Sequence, residues 1–274
     1  MNEENENMVE EQEEIWQAPP LPEELAAEKQ EPEMSEVGTL GSIFFEPGRT
    51  FEDLRRKPRF IFAAVIICII TMAWVFSFQQ KIGTERIRSY ISEQIDKNPR
   101  AASMTPEQKT QAVNMQMTIS SVVRYAVPIF VLIGLALGGL FYWLGGKVMG
   151  GSITYLQALS VWVYSSFPPA VIYYVANLIV LFLKSADEIE VTAGQKGLVP
   201  ANPTLFVGGA EMPVLTTLIS VFDFFLIWGW ILAAIGLHKT GKLTKGSAWA
   251  VVLIFALVGI TIRVVLALIS GNPS

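Results

Sequence analysis

The chain has 274 residues, 51% of them apolar and 16% charged, with a formal net charge of −5 at neutral pH. The apolar residues sit in long uninterrupted runs, which excludes an ordinary soluble globular protein. The negative charge is local: thirteen of the twenty-five acidic residues are glutamates in the first 36 positions, opposed there by Lys29, and the remainder is mildly basic.

Residues 1–40 are rich in Glu and interrupted by Pro19, Pro20, Pro22 and Pro32. Such a segment has too little apolar surface to offset the entropy of ordering, so it is expected to be a disordered cytoplasmic tail, either a partner-binding arm or a solubilising leader. A cleavable signal peptide is not expected, because the N-terminal stretch is acidic where a signal is positive, and the first span then serves as the targeting signal. Residues 41–59 form a juxtamembrane segment that mixes Ile43, Phe44, Phe45, Phe51 and Leu54 with Arg49, Arg55, Arg56, Lys57 and Arg59. That mixture suits a segment lying in the headgroup layer, with Thr50 capping a short helix that Pro58 ends. The five basic residues are candidates for contact with anionic lipid, at about 1 kcal/mol each. Their plainer role is to hold this end in the cytoplasm by the positive-inside rule.

Five runs reach the length needed to cross a bilayer, at about 60–80, 122–144, 157–183, 214–237 and 248–269. Between the first two, Ile87, Ile91 and Ile95 recur at helical spacing until Asn98-Pro99 breaks the pattern. Thr105-Pro106-Glu107-Gln108 then has the form of a capping box, from which a second helix can run straight into span two. A helical extension between spans one and two follows. Span two carries Gly134 and Gly138, and the Gly-rich turn after it carries Gly146 and Gly150, both pairs at the GxxxG spacing that lets helices approach closely. Packing within the bundle is the expected use of these glycines, and the short turn predicts a tight hairpin of spans two and three. Span three contains Pro168-Pro169, which should kink or break the helix near Phe167. The polar segment 184–213 either caps the bundle or is mobile. Lys239, Lys242 and Lys245 in the short connection of spans four and five agree with a cytoplasmic N-terminus and an external C-terminus.

Chemistry leaves little trace. His238 and Cys68 are the sole histidine and cysteine, which excludes Cys–His catalysis and His-rich or Cys-rich metal sites within one chain. HExxH, GxSxG, phosphate-loop and dinucleotide motifs are all missing. No enzyme activity, cofactor or nucleic-acid partner is expected, and His238 suits the C-terminal end of span four. One polar pair stands out, Asp223 in span four and Arg263 in span five, each carrying a mid-membrane cost of roughly 2.5–3.5 kcal/mol. At about 1.5 Å per residue both lie about 21 to 22 Å from the cytoplasmic face, so a salt bridge between the two spans is expected, as a structural lock before an ion relay.

The segments FFEPGRTFEDLRRKP, GGKVMGGSITYLQALSVWVYSSFPP, NPTLF and VFDFFLIWGWILAAIGLHKTGKLTKGSAWAVV, taken in order, resemble the bacterial branch of the Yip1 domain family. The resemblance covers about residues 40–270. It implies an all-α, five-span integral membrane protein of the bacterial inner (plasma) membrane, with residues 60–270 as the membrane domain. Asp223 and Trp228 match the Asp-x-x-x-x-Trp of the family's fourth span. Eukaryotic relatives are associated with small GTPases, but none of their GTPase-binding residues can be matched here. The function expected is membrane organisation or partner binding through residues 1–58. The alternative is a transporter or channel that uses the proline break and the Asp223/Arg263 level. A cavity lined by Asn177, Pro168 and Asp223 would favour the alternative, and a dry closed bundle would count against it.

Overall fold

A computed structural model describes residues 32–199, 201–206 and 212–270. Most of the expected tail, up to residue 31, lies outside the described residues. The last part of it does not behave as a tail: a helix, α1, covers Glu36–Phe45, capped by Ser35, whose hydroxyl accepts from the Gly38 amide. A second short helix, α2, covers Pro47–Arg56. Thr50 is therefore inside a helix rather than its cap, and proline at the first helical position marks the start.

Among the described residues the fold is all-α, and five helices are long and apolar enough to cross a membrane. They are α3 (Ile61–Ile82), α5 (Pro106–Val148), α6 (Tyr155–Leu183), α9 (Phe224–Gly241) and α10 (Lys245–Ser270). Large apolar side chains such as Phe130, Ile133 and Leu137 on α5 and Ile254 and Leu257 on α10 are exposed. A belt of that size is stable only against lipid. Inside it, α6 is the central helix, packed against α3, α5 and α9. Its Ala158, Val161, Val163, Tyr164 and Phe167 belong to the main core with Leu232, Ala233 and Leu237 of α9.

The α5–α6 hairpin is as tight as its sequence suggests. Gly150 takes φ +80 in the turn, the Gly151 amide donates to Gly146 O at 2.8 Å, and Thr154 and Gln157 form a capping box that starts α6. Along the hairpin the glycines differ in use. A Cβ on Gly138 would lie 2.1 Å from the Trp162 ring, one on Gly139 2.9 Å from Leu159 Cα, and one on Gly146 2.7 Å from Ile153. Beside Gly134 and Gly150 there is nothing within 4 Å. Neither GxxxG pair thus acts as a pair; the close approach is made by Gly138 and Gly139 together.

Two further departures concern the helix interruptions. α6 runs unbroken through Pro168 and Pro169, both buried, because neighbours on three sides hold the backbone in place where two donors are missing. The break falls in the 214–237 segment instead. A short helix, α8 (Pro213–Ser220), stops and α9 begins afresh at Phe224, with Asp223 extended at φ −85, ψ 131 between them. Aspartate in that conformation is a strong N-cap, and its carboxylate accepts from the amides of Phe225 at 2.9 Å and Leu226 at 3.1 Å.

The extension after span one is α4 (Thr84–Asp96), which packs along the first turns of α5. Lys109 Nζ meets Asp96 Oδ1 at 2.7 Å, and Val113 is buried beneath. α5 has 43 residues, so it is about 64 Å long and exceeds the roughly 30 Å hydrocarbon core twofold.

Candidate functional site

Two places in the bundle gather polar side chains. The first is the end formed by the α5–α6 and α9–α10 turns, called here the near end. There α1 and α2 do not lie loose on a headgroup layer. Phe51 and Leu54 of α2 are wholly buried, and Phe44 of α1 reaches Phe167 and Trp228, ring centroids 6.0 and 6.3 Å away. Polar bonds fix the same contact: Thr240 Oγ1 donates to Phe51 O at 3.0 Å, Lys239 Nζ to Glu52 Oε1 at 2.6 Å, and Gln157 Nε2 to Arg55 O at 2.8 Å.

The candidate lipid-binding cations are divided by this docking. Arg59 is buried against Asp53, and the two side chains are 7% and 2% exposed. Asp53 also accepts from the Glu33 amide at 2.6 Å, and Arg59 donates to Met34 O at 2.6 Å, so the pair ties the chain before α1 to the chain after α2. Arg56 binds Glu33 at 2.6 Å, and its guanidinium holds the Glu33 carboxyl below the ordinary carboxylate range. Arg55 is half-buried, while Arg49, itself paired with Glu46 at 3.2 Å, and Lys57 are exposed and face outward. His238, in the last turn of α9, meets Leu243 O through Nδ1 at 2.6 Å, which is a structural role at a helix end.

The second place is the opposite, far end. A cavity of about 1210 Å³ lies among α5, α6, α8, α9 and α10. Its floor is an aromatic cluster of Tyr142, Trp162 and Phe255, with ring centroids 5.1 to 5.7 Å apart and edge-to-face. Its wall on α6 is one continuous face, Trp162, Ser165, Ser166, Pro169, Tyr173 and Tyr174, at the i, i+3, i+4 spacing of a helix. Around its upper part stand Asn202, Thr204, Thr216, Thr217 and Ser220. Among the described residues the charged groups of the lining are Lys184, Asp223 and Arg263.

Asp223 and Arg263, expected at one level, do line one cavity. The carboxylate of Asp223 is engaged by the two capping amides and by Asn202 Nδ2 at 3.4 Å, and the residue sits at the head of α9 rather than within a span. Of the three residues whose lining of a cavity would favour transport, Asp223 lines this one, whereas Asn177 and Pro168 are buried in contacts. Asn177 is a bracket: its Oδ1 accepts from the amides of Leu198 and Val199, the second at 3.1 Å, and its Nδ2 donates to Tyr173 O at 2.8 Å. With Arg86 donating to Ala186 O and Ile189 O, and Trp74 Nε1 to Gly194 O at 3.3 Å, it makes residues 186–199, which include the short helix α7 (Ala193–Lys196), a cap on the far end. Asn177→Leu is expected to raise amide exchange at Leu198 and Val199 by about tenfold or more, since each orphaned amide costs about 1–3 kcal/mol. Unchanged exchange would mean that the loop is held elsewhere.

The cavity itself gave no sequence signal, because its lining is drawn from five helices and a loop. The one readable clue was an aspartate directly before an apolar run, the mark of a helix start.

The family model described as the Yip1 domain matches residues 41–268. The Bacillus subtilis (strain 168) protein named membrane protein YknW is 28% identical over 254 residues, which cover 90% of this chain and 96% of the relative. No solved structure matches the chain.

Proposed function

The chain belongs to the Yip1 domain family, and from that premise we propose that it is a non-enzymatic membrane protein that organises its membrane or engages a protein partner through residues 1–58. The observation that carries this reading is the docking of α1 and α2 on the near end. A buried ion pair and three cross-helix hydrogen bonds fix the juxtamembrane segment on the bundle, and residues 1–31 of the sequence carry eleven glutamates. Arg55, Arg56, Lys57, Lys239, Lys242 and Lys245 all belong to this end, which supports a cytoplasmic N-terminus, an external C-terminus and the bacterial plasma membrane as location.

The transporter reading draws on the cavity beside Asp223 and Arg263. It is the weaker of the two, since the lining ends at Tyr142, Trp162 and Phe255, and beyond that floor Leu159, Leu237, Val251 and Val252 are buried in the main core. The test is affinity purification from native membranes of the full chain and of a variant without residues 1–31, a cut that leaves Glu33 and both docked helices in place. Partners lost with the deletion support the proposal. An unchanged partner set sinks the tail-dependent form of it.

A further inference from the structure

α1 has two apolar faces, and the bundle covers one of them. Between Glu36 and Glu46 the chain carries no charge, and Thr39, Leu40, Ile43 and Phe44 turn inward, with Thr39 and Ile43 wholly buried. The other face is open. Val37, Gly41 and Phe45 stand on it at four-residue spacing, Val37 72% and Phe45 87% exposed, and nothing lies within 4 Å of where a Cβ on Gly41 would be. A helix that is apolar all round belongs in a core or in hydrocarbon, and at ten residues, about 15 Å, α1 covers half of the roughly 30 Å that a span must cross.

Its contacts give its depth. α2 meets α6 and α9 at their near ends, through Gln157, two residues after Tyr155, and Thr240, one residue before Gly241. α1 reaches further in. The Phe44 ring stands against Phe167, twelve residues after Tyr155, and Trp228, thirteen before Gly241, which lie about 18 and 20 Å along their helices from the same ends. The two ends of α1 nevertheless share one charged partner: Arg49 meets Glu33, ahead of the helix, at 3.6 Å and Glu46, behind it, at 3.2 Å. The chain therefore enters and leaves on the same side.

We infer that α1 is a re-entrant helix of the near leaflet, and that lipid acyl chains cover its Val37, Gly41 and Phe45 face. The bond from Arg59 to Met34 O sets the start of α1 beside the start of α3, where Ile61 and Phe62 are exposed as well, so the open face continues the lipid-facing belt. A helix seated in one leaflet takes up area there and none in the other. It acts as a wedge, favouring membrane that bulges toward the near side. The inference rests on the membrane-organising side of the function proposed above, and since it does not involve residues 1–31, partners kept or lost on their deletion leave it untouched.

Two measurements on the full chain test it. In bilayers of phosphatidylcholine and phosphatidylglycerol, a nitroxide on Phe45→Cys, combined with Cys68→Ser to leave a single thiol, is expected to collide more often with oxygen than with a water-soluble nickel chelate. A nitroxide on Lys57→Cys in the same background is expected to do the reverse. In giant vesicles of the same lipids, chains with the near end outward, marked by an impermeant dye on Lys245→Cys, are expected to be denser in drawn tethers than in the flat membrane. Val37→Ser, Phe45→Ser, which leaves the inward face intact, is expected to lose that enrichment. A label at residue 45 that favours nickel, or that neither reagent reaches because protein covers it, would overturn the inference. So would a wild-type chain with no enrichment, or enrichment that the double variant retains.

Discussion

Asp53→Ala is expected to destabilise the protein by about 3–5 kcal/mol, the usual consequence of leaving one member of a buried ion pair without its partner. Arg59 would keep a charge in a side chain only 7% exposed, and the Glu33 amide would lose its acceptor in the same step. Release of α1 and α2 should follow, because the pair joins the chain that precedes α1 to the chain that follows α2. Two readouts check this: the midpoint of thermal unfolding in detergent, and the rate at which a protease cuts within residues 32–58. The double substitution Asp53→Leu, Arg59→Met should recover most of the loss, since an apolar pair of similar volume often matches a buried ion pair. Wild-type unfolding and cutting in Asp53→Ala would show that the docking rests on Phe51 and Leu54 alone.

The second large effect is expected at the helix crossing of α5 and α6. Gly139→Val places a branched side chain 2.9 Å from Leu159 Cα, and a backbone atom of the central helix has nowhere to move. Overpacking of that kind costs typically about 1–3 kcal/mol and occasionally more. Gly134→Ala, about a turn and a half away, meets open space and should be neutral or slightly stabilising by helix propensity. Thermal unfolding of the two variants side by side is the measurement. Equal midpoints would mean that the two helices can separate at this crossing without penalty.

How far the fold can be read from the chain depends on how local its causes are. The five spans are legible because hydrocarbon demands the same thing of every residue in a run, and the start of α5 is legible because Thr105 and Gln108 satisfy each other's backbone within one turn. The chain around Asp223 fails the same treatment. Hydropathy weighs side chains and is blind to where backbone amides find acceptors, so VFDFF reads as the middle of a span while its aspartate in fact opens a helix. Pro168-Pro169 misleads in the other direction, since what holds α6 together there is contributed by three other helices. The ion pair of Asp53 and Arg59, the bracket at Asn177 and the cavity are all products of assembly. Their members are ordinary residues until distant parts of the chain bring them together, as Asn177 is brought to Val199.

The late start of α9 at Phe224 has a consequence for the bilayer itself. That helix has 18 residues and is about 27 Å long, whereas its neighbour α10 has 26 and is about 39 Å long. Where α9 alone meets lipid, one thickness does not suit both flanks, and either the membrane thins there or α10 tilts, at fractions of a kcal/mol for every ångström of mismatch. A bundle built this way carries a thickness gradient around its own circumference, and it would favour places where the membrane is already uneven.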